Sequence, residues 1–435
     1  MKIGSISLGC DKNRVDTEKM LARLVNAGHT LVGSEEDADV IIVNTCAFID
    51  KAKEESIDEI LGALNVKADS NGAKKVIITG CLAQRYADEL KAEFEEADAI
   101  LGIADYDRIV ETIEKVSDDG KVFSCFFADK FYADRVLTTP YHYAYLKIAD
   151  GCDNHCTYCA IPKIRGKYRS ERMEDLLKEA RKLADDGVKE LILVAQDVSR
   201  YGIDFDGKPH IFELVREFEK LDFEWIRLLY LYPEMVNDEF IDFVKNEPKV
   251  VKYMDVPLQH IDSELLKMMN RRVSEDYVRA LVKKIKDAGI TLRTTFICGF
   301  PGESEAQYDK LREFILQEKF DFAGFFAYSR EEGTPADKLP NHLDNKVKEA
   351  RANALTALQT KIIKEKNKSL VGKTLRVIYD DIDYDKQMFV GRAEGQAPDI
   401  DNVVLFGATD EMHIGEFYKV KIMGSDGIDL VGEIV

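Results

Sequence analysis

The sequence predicts a multidomain α/β protein: an N-terminal parallel α/β sheet domain, a central partial (β/α)6 barrel and a small C-terminal antiparallel β-barrel. Three observations carry this. Short β-branched runs at residues 3–8, 40–44, 76–79 and 99–101 alternate with amphipathic stretches, as βα units on a parallel sheet do. Further strand candidates at 145–148, 191–195, 225–231, 253–257, 292–297 and 322–328, each separated from the next by a helical pattern, fall short of a complete barrel. Beyond residue 372, alternating runs at 375–379, 388–391, 403–406, 418–422 and 430–435, punctuated by Asp, Gly and Asn, fit a small barrel.

A chain of 435 residues suits about three domains at roughly 150 residues each. In the first, residues 1–117, apolar positions three and four apart mark helices at 14–27 and 51–64, and Asn26-Ala27-Gly28 reads as a helix stop. Residues 118–142 read as a linker. The barrel region, 143–369, ends in an Ala/Lys/Glu-rich helical stretch from 345, and Val371-Gly372 closes it before the last domain, 370–435. No apolar run reaches the ~18 residues of a membrane span, and Met1-Lys2-Ile3-Gly4-Ser5 leads to Cys10 without an apolar leader. A cytoplasmic protein without membrane contact is expected. Its net charge of −19 disfavours a broad grip on nucleic acid and favours a basic partner. Cysteines are reduced in that compartment, so clustered ones read as metal ligands or reactive thiols.

Cys152-Asp-Asn-His-Cys156-Thr-Tyr-Cys159 is such a cluster, placed just after the first barrel strand. Three thiolates suit a [4Fe–4S] cluster with one iron left open to a small molecule. A zinc site of the three cysteines and His155 is the other chemistry available, although adjacent ligands at 155 and 156 fit a tetrahedron poorly. Gly151-Cys152-x3-Cys156-x-Tyr158-Cys159 resembles the signature of radical S-adenosylmethionine (SAM) enzymes, whose partial (β/α)6 barrel matches the strand pattern. The resemblance implies SAM on the open iron. It also implies one-electron cleavage to methionine and a 5′-deoxyadenosyl radical that abstracts a substrate hydrogen. By the same resemblance Tyr158 lies near the adenine; its alternative role is packing.

In the first domain, Leu8-Gly9-Cys10, Asn44-Thr45-Cys46 and Thr79-Gly80-Cys81 each place a cysteine one or two residues beyond a predicted parallel strand. All three converge on one sheet edge, the edge where open parallel sheets bind ligands, so a second three-Cys cluster is expected there. The alternative is three independent buried cysteines. Two such clusters, in a leading α/β domain and in a barrel followed by a β-barrel, resemble the methylthiotransferases over essentially the whole chain. The third domain is then a TRAM domain. The resemblance implies two [4Fe–4S] clusters and SAM as cofactors, with the cluster of Cys10, Cys46 and Cys81 holding the sulfur that is methylated by one SAM and joined to a substrate carbon radical.

Within that family, Ser7-Leu8-Gly9-Cys10-Asp11-Lys12-Asn13, Val194-Ala195-Gln196-Asp197 and Pro257-Leu258-Gln259-His260 resemble the RimO type, which modifies an aspartate of small-subunit ribosomal protein 12, rather than the enzymes that modify tRNA adenosine. Asn in place of Asp197 and Ser in place of His260 would mark the tRNA branch. Asp11 stands where the RimO type commonly has Pro. Residues 371–435 carry six basic residues (Lys373, Arg376, Lys386, Arg392, Lys419, Lys421) against thirteen acidic ones, the wrong sign for gripping RNA. Asp380, Asp381, Asp383, Asp385, Asp399 and Asp401 suit a Lys/Arg-rich ribosomal protein, free or in the ribosome; a solvated acidic surface without a partner is the bland alternative. The resemblance implies a 3-methylthioaspartate product and a reduced flavodoxin or ferredoxin as electron donor. A tRNA adenosine methylthiotransferase and a non-catalytic iron–sulfur adaptor of the ribosome are the competing readings.

Among other residues, Gln196 and Asp197 read as cofactor or substrate contacts or as loop caps. Gly299, in Ile297-Cys298-Gly299-Phe300-Pro301-Gly302-Glu303, reads as a SAM contact or a plain strand-to-helix turn. Arg165, Lys167, Arg169 and Arg172 read as a carboxylate-binding run or a solvated face. Cys125 and Cys298 read as small buried residues, His155 as a loop residue and Trp225 as core.

Overall fold

A computed structural model describes residues 1–118, 120–124, 134–407 and 412–435; Cys125 and part of the 118–142 linker lie outside the described residues. The N-terminal sheet has the order β2-β1-β3-β4-β5-β6, all parallel. Its strands are β1 (Lys2–Ser7), β2 (Thr30–Leu31), β3 (Val40–Thr45), β4 (Lys75–Gly80), β5 (Ala99–Leu101) and β6 (Val122–Ser124). Strand β3 is buried along its whole length, as a strand covered by helices on both faces must be. On one face Ile41, Val43 and Ile78 pack with Ile60 and Ala63 of helix α2 (Asp50–Asp69). On the other, Val40, Ile42 and Ile77 pack with Met20 and Leu24 of helix α1 (Asp11–Asn26). Alternate residues of one strand thus feed two cores. The expected strands and both helices are present, and Gly28 (φ +89°) follows the end of α1 as a helix stop. The two edge strands β2 and β6 were not expected from the sequence.

The chain divides into two compact units, and this sheet belongs to the first: residues Met1–Thr138, Tyr145–Glu179 and Ser329–Asp337. Strand β7 (Tyr143–Lys147) carries the chain into the middle stretch of that unit. There β8 (Ala149–Asp150) and β9 (Arg169–Ser170) pair antiparallel and close the loop that bears Cys152, Cys156 and Cys159. The last stretch returns to helix α2: the Asp50 amide donates to Ser329 Oγ (3.2 Å), and Glu331 accepts from Lys53 (3.1 Å) and Arg85 (2.6 Å).

The second unit, Thr139–Ala144, Ala180–Tyr328 and Lys338–Val435, holds the other barrel strands. These are β10 (Glu190–Val194) and β11 (Trp225–Leu228), paired in parallel, and β12 (Tyr253–Asp255), β13 (Thr291–Cys298) and β14 (Phe322–Ala327), also parallel. Every barrel strand expected from the sequence is present, shifted by a few residues at its ends. The helix Asn345–Leu370 leads to a closed barrel of β15 (Thr374–Asp383), β16 (Met388–Ala393), β17 (Val404–Phe406), β18 (Phe417–Asp426) and β19 (Asp429–Ile434), ordered β15-β16-β17-β19-β18. One pairing corrects the antiparallel expectation: β17 and β19 run parallel, because closure brings together two strands that the meander does not join. Val377, Tyr379, Val404, Phe406, Val420, Ile422 and Leu430 fill the interior. Trp225 is buried, its ring edge-on to Phe417 with centroids 4.7 Å apart.

Candidate metal centres

The register of the first sheet brings three cysteines to one edge. Ser7 lies beside Asn44, and Thr45 beside Gly80, so β1, β3 and β4 end together. Cys10 caps the N-terminus of α1, Cys46 follows β3, and Cys81 opens the short helix α3 (Cys81–Arg85). Glycines allow the close approach. A Cβ on Gly9 (φ +87°) would lie 2.7 Å from Cys46 Sγ, and one on Gly80 (φ +98°) 2.3 Å from Asn44 Oδ1 and 2.5 Å from the Thr45 carbonyl. Ser56, in the second turn of α2, accepts the Cys46 N–H at 2.9 Å.

Asn13, one turn into α1, ties these strand ends. Its Nδ2 donates to the Leu8 carbonyl (2.8 Å) and to the Thr45 carbonyl (3.1 Å), each just before a cysteine-bearing position. Its Oδ1 accepts from Arg165 Nη2 at 3.1 Å, and the same Nη2 lies 3.6 Å from Cys81 Sγ. The other arm of the guanidinium donates to Asp150 (3.0 Å) and Asp16 (3.1 Å), and Lys147 bonds both carboxylates as well. Arg165 therefore corrects the sequence reading: it is neither a solvated cation nor open to a carboxylate from solution, but a buried residue whose partners lie inside the unit. Lys167 and Arg172 are exposed and Arg169 is half-buried.

Burial raises the Cys46 thiol and pushes the Cys81 thiol up to about 12. Each responds to its neighbours: the Cys10 sulfur raises both, and Arg165 lowers both. Thiolates at this edge thus need compensating positive charge, part of which Arg165 supplies and the remainder of which bound iron would bring. The donor set fits an iron–sulfur cluster.

The second cysteine set lies on the loop between β8 and β9, all three thiols half-buried. Gly151 (φ +78°) turns the chain where a Cβ would meet the Lys167 carbonyl at 2.1 Å, and the Cys152 N–H donates to Gly166 O (3.1 Å). The Cys159 N–H closes a turn on Cys156 O (3.1 Å), and His155 sits at φ +51° as a loop residue. Tyr158 is half-buried on the same loop. After Cys159, Ala160 and Ile164 pack into the core that includes Cys81, Leu82 and Ala83. Among the described residues, no group of three Cys, His, Asp or Glu side chains is placed to hold a single metal ion. A cluster asks less of the loop, because each thiolate holds a different iron.

In the second unit, Gln196 and Asp197 follow β10, and Asp197 is fully buried, accepting from the Ser199 hydroxyl of its own loop. Gly299 (φ +76°) follows β13, and its N–H donates to Glu303 Oε2 at 2.6 Å. Glu303 also accepts from Arg351 (2.6 Å) and from His260 Nε2 (3.2 Å), while His260 Nδ1 accepts the Asp262 N–H (2.9 Å). His260 is therefore a buried brace of the Gly299 turn. Cys298 is buried, and burial pushes its thiol up to about 12, as suits an inert core residue. Two of the acidic residues assigned to a basic partner are spent inside the chain: Asp380 binds Arg392 and His142, and Asp401 binds Arg293 and Tyr253. Asp381, Asp385 and Asp399 are exposed and Asp383 is half-buried.

Comparison with known proteins fits these parts. Residues 146–315 match the Radical SAM superfamily, residues 371–435 the TRAM domain, and residues 2–102 the Uncharacterized protein family UPF0004. The fold is similar to that of the radical SAM methyltransferase TsrM from Kitasatospora setae (TM-score 0.57, 14% identity, 77% of this chain and 76% of that one). It is similar too to that of the cobalamin-dependent SAM radical enzyme OxsB (TM-score 0.55, 12% identity, 85% and 68%). The chain is a radical SAM enzyme, a class that works with a [4Fe–4S] cluster and SAM. Among sequence relatives, the ribosomal protein uS12 methylthiotransferase RimO of Clostridioides difficile (strain 630) is 44% identical over 441 residues, 100% of this chain and 99% of the relative. That of Acetivibrio thermocellus is 45% identical over 447 residues, 100% and 98%. The chain belongs to the RimO family of radical SAM methylthiotransferases.

Proposed function

We propose that this chain attaches a methylthio group to the β-carbon of an aspartate in small-subunit ribosomal protein uS12, giving 3-methylthioaspartate. The observation that carries the reading is the pair of three-cysteine sets within one compact unit of a RimO-family chain. Cys152, Cys156 and Cys159 hold the cluster that binds SAM, and Cys10, Cys46 and Cys81 hold a second [4Fe–4S] cluster. When bound, these groups and SAM supply the carbon-centred radical and the sulfur. The residues of the chain bind and orient. Gly9 and Gly80 let the three sulfur-bearing turns meet, Asn13 fixes their spacing, Tyr158 faces the adenine, and Gln196, Asp197 and the Gly299 turn contact SAM or substrate. No acid–base pair is needed, since the target C–H bond is not acidic. A flavodoxin- or ferredoxin-type protein donates the electrons.

The exposed Asp381, Asp385 and Asp399 support a basic protein substrate over RNA, because a basic protein is steered to an acidic surface and a phosphate backbone is repelled. Among the described residues no helix is long and apolar enough to cross a membrane. The test is mass spectrometry after anaerobic incubation of the cluster-loaded protein with SAM and reductant, offering uS12 and unmodified tRNA in parallel. A methylthio mass gain on one aspartate of uS12, with digested tRNA unchanged, is expected. A gain on adenosine alone would overturn the assignment.

A further inference from the structure

We propose that Arg165 is a positioning residue for the cluster held by Cys10, Cys46 and Cys81. Its N–H donated to the Cys81 sulfur raises the reduction potential of that cluster, and the rest of its fork ties the Cys81 turn to the segment that leads into Cys152. The inference rests on the second-cluster reading above.

The guanidinium is planar, and each arm has its own task. Nη1 binds Asp150 and Asp16, and Nη2 binds Asn13 Oδ1 and points at Cys81 Sγ at 3.6 Å. Only an arginine places two donors in this fixed fork; a lysine offers a point charge to one side or the other. The side chain is 1% exposed, so these bonds are made in a medium of low dielectric, where a donor to a sulfur counts for more than at a surface. Hydrogen bonds and local charge at ligating sulfurs are among the levers that set a cluster's potential. A cation beside the sulfur favours the more negative, reduced state, so its loss lowers the potential. Asp150 lies two residues before Cys152, so the fork makes the position of one cysteine set depend on the other.

The test isolates the first-domain cluster in the full-length Cys152→Ala/Cys156→Ala/Cys159→Ala variant and adds Arg165→Lys or Arg165→Gln. Potentiometric EPR then reads the midpoint potential and line shape, and circular dichroism reports the fold. If the parent triple variant holds no cluster, the two-cluster reading itself fails. If it holds one, Arg165→Lys, which keeps a cation opposite Asp150 and Asp16, should stay folded and shift the midpoint to lower potential with an altered line shape; Arg165→Gln should shift it further or release the iron. A folded Arg165→Lys protein with unchanged potential and line shape overturns the proposal while leaving the second cluster standing. A measurement without substitution at 165 stands beside it: in the same triple variant, grown with isotopically labelled arginine, nitrogen hyperfine coupling to the reduced cluster is expected, and its absence would count equally against the role.

Discussion

The side-chain amide of Asn13 donates across 3.1 Å to the main-chain carbonyl of Thr45, the residue before Cys46, while its oxygen accepts from the arginine that reaches Cys81. One short polar side chain thereby couples turns from three strands. Replacing it with alanine leaves buried carbonyls and a guanidinium N–H without partners, at a cost of about 1–3 kcal/mol for each group left unsatisfied. Asn13→Ala should therefore unfold at lower denaturant than wild type and hold less iron, and the iron missing should be that of the first domain, read by EPR.

The two cysteine sets should separate by function. Cys152→Ala, Cys156→Ala or Cys159→Ala should abolish formation of 5′-deoxyadenosine, measured by chromatography. Cys10→Ala, Cys46→Ala or Cys81→Ala should preserve it and abolish methylthio transfer. Wild-type methylthio transfer by the second group of variants would refute the role given to the first-domain cysteines.

Gly80 and Gly28 make a controlled comparison of conformation against space. Both have positive φ, but a Cβ on Gly28 meets nothing within 4 Å, whereas one on Gly80 falls 2.3 Å from Asn44 Oδ1 and 2.5 Å from the Thr45 carbonyl. Gly28→Ala should cost only the left-handed backbone penalty, about 1–2 kcal/mol. Gly80→Ala should cost more and perturb iron loading, both read by denaturant titration with iron analysis.

Asp380 predicts an acid limb. Burial alone would raise its carboxyl, but the Arg392 guanidinium and the His142 bond at 2.7 Å outweigh it and hold the group below its ordinary value. Arg392 is in turn paired with Glu190, which also holds Arg227. A carboxyl depressed on folding contributes stability that is present above its unfolded pKa of about 3.9 and lost as pH falls toward the folded value. Asp380→Asn should destabilise by about 3 kcal/mol at neutral pH, as breaking a buried pair does. Thermal unfolding midpoints of variant and wild type should converge below about pH 4.

Much of this was legible in the sequence because it depended on local pattern. Two of the strands leading to the first-domain cysteines, β3 and β4, are apolar runs buried on both faces, and a cysteine one to three residues past the end of each of β1, β3 and β4 reaches the same edge whatever the helices do. Edge strands of two and three residues leave no such pattern, which is why β2 and β6 passed unseen. Partner choice is tertiary. Nothing in the spacing of Arg165 distinguishes a buried fork from a solvated cation, and a charge count cannot tell Asp381, in solvent, from Asp380, inside an ion pair. His260 was legible as a branch marker by resemblance, but its role as a brace for Glu303 depends on a contact spanning 43 residues.

The return of Ser329–Asp337 to the first unit has a consequence for biosynthesis. Arg85 waits for Glu331 across 246 residues of chain, and Lys53 across 278. At about 5–20 residues per second, the N-terminal sheet leaves the ribosome on the order of ten seconds or more before the Glu331 carboxylate that both cations share has been made, and until then Lys53 has Asp50 of its own helix (2.7 Å). The contacts of the helices bearing Lys53 and Arg85 are thus completed late, by a segment of chain synthesised after most of the barrel, and a fragment ending at residue 138 would carry both cations without the counter-ion they share.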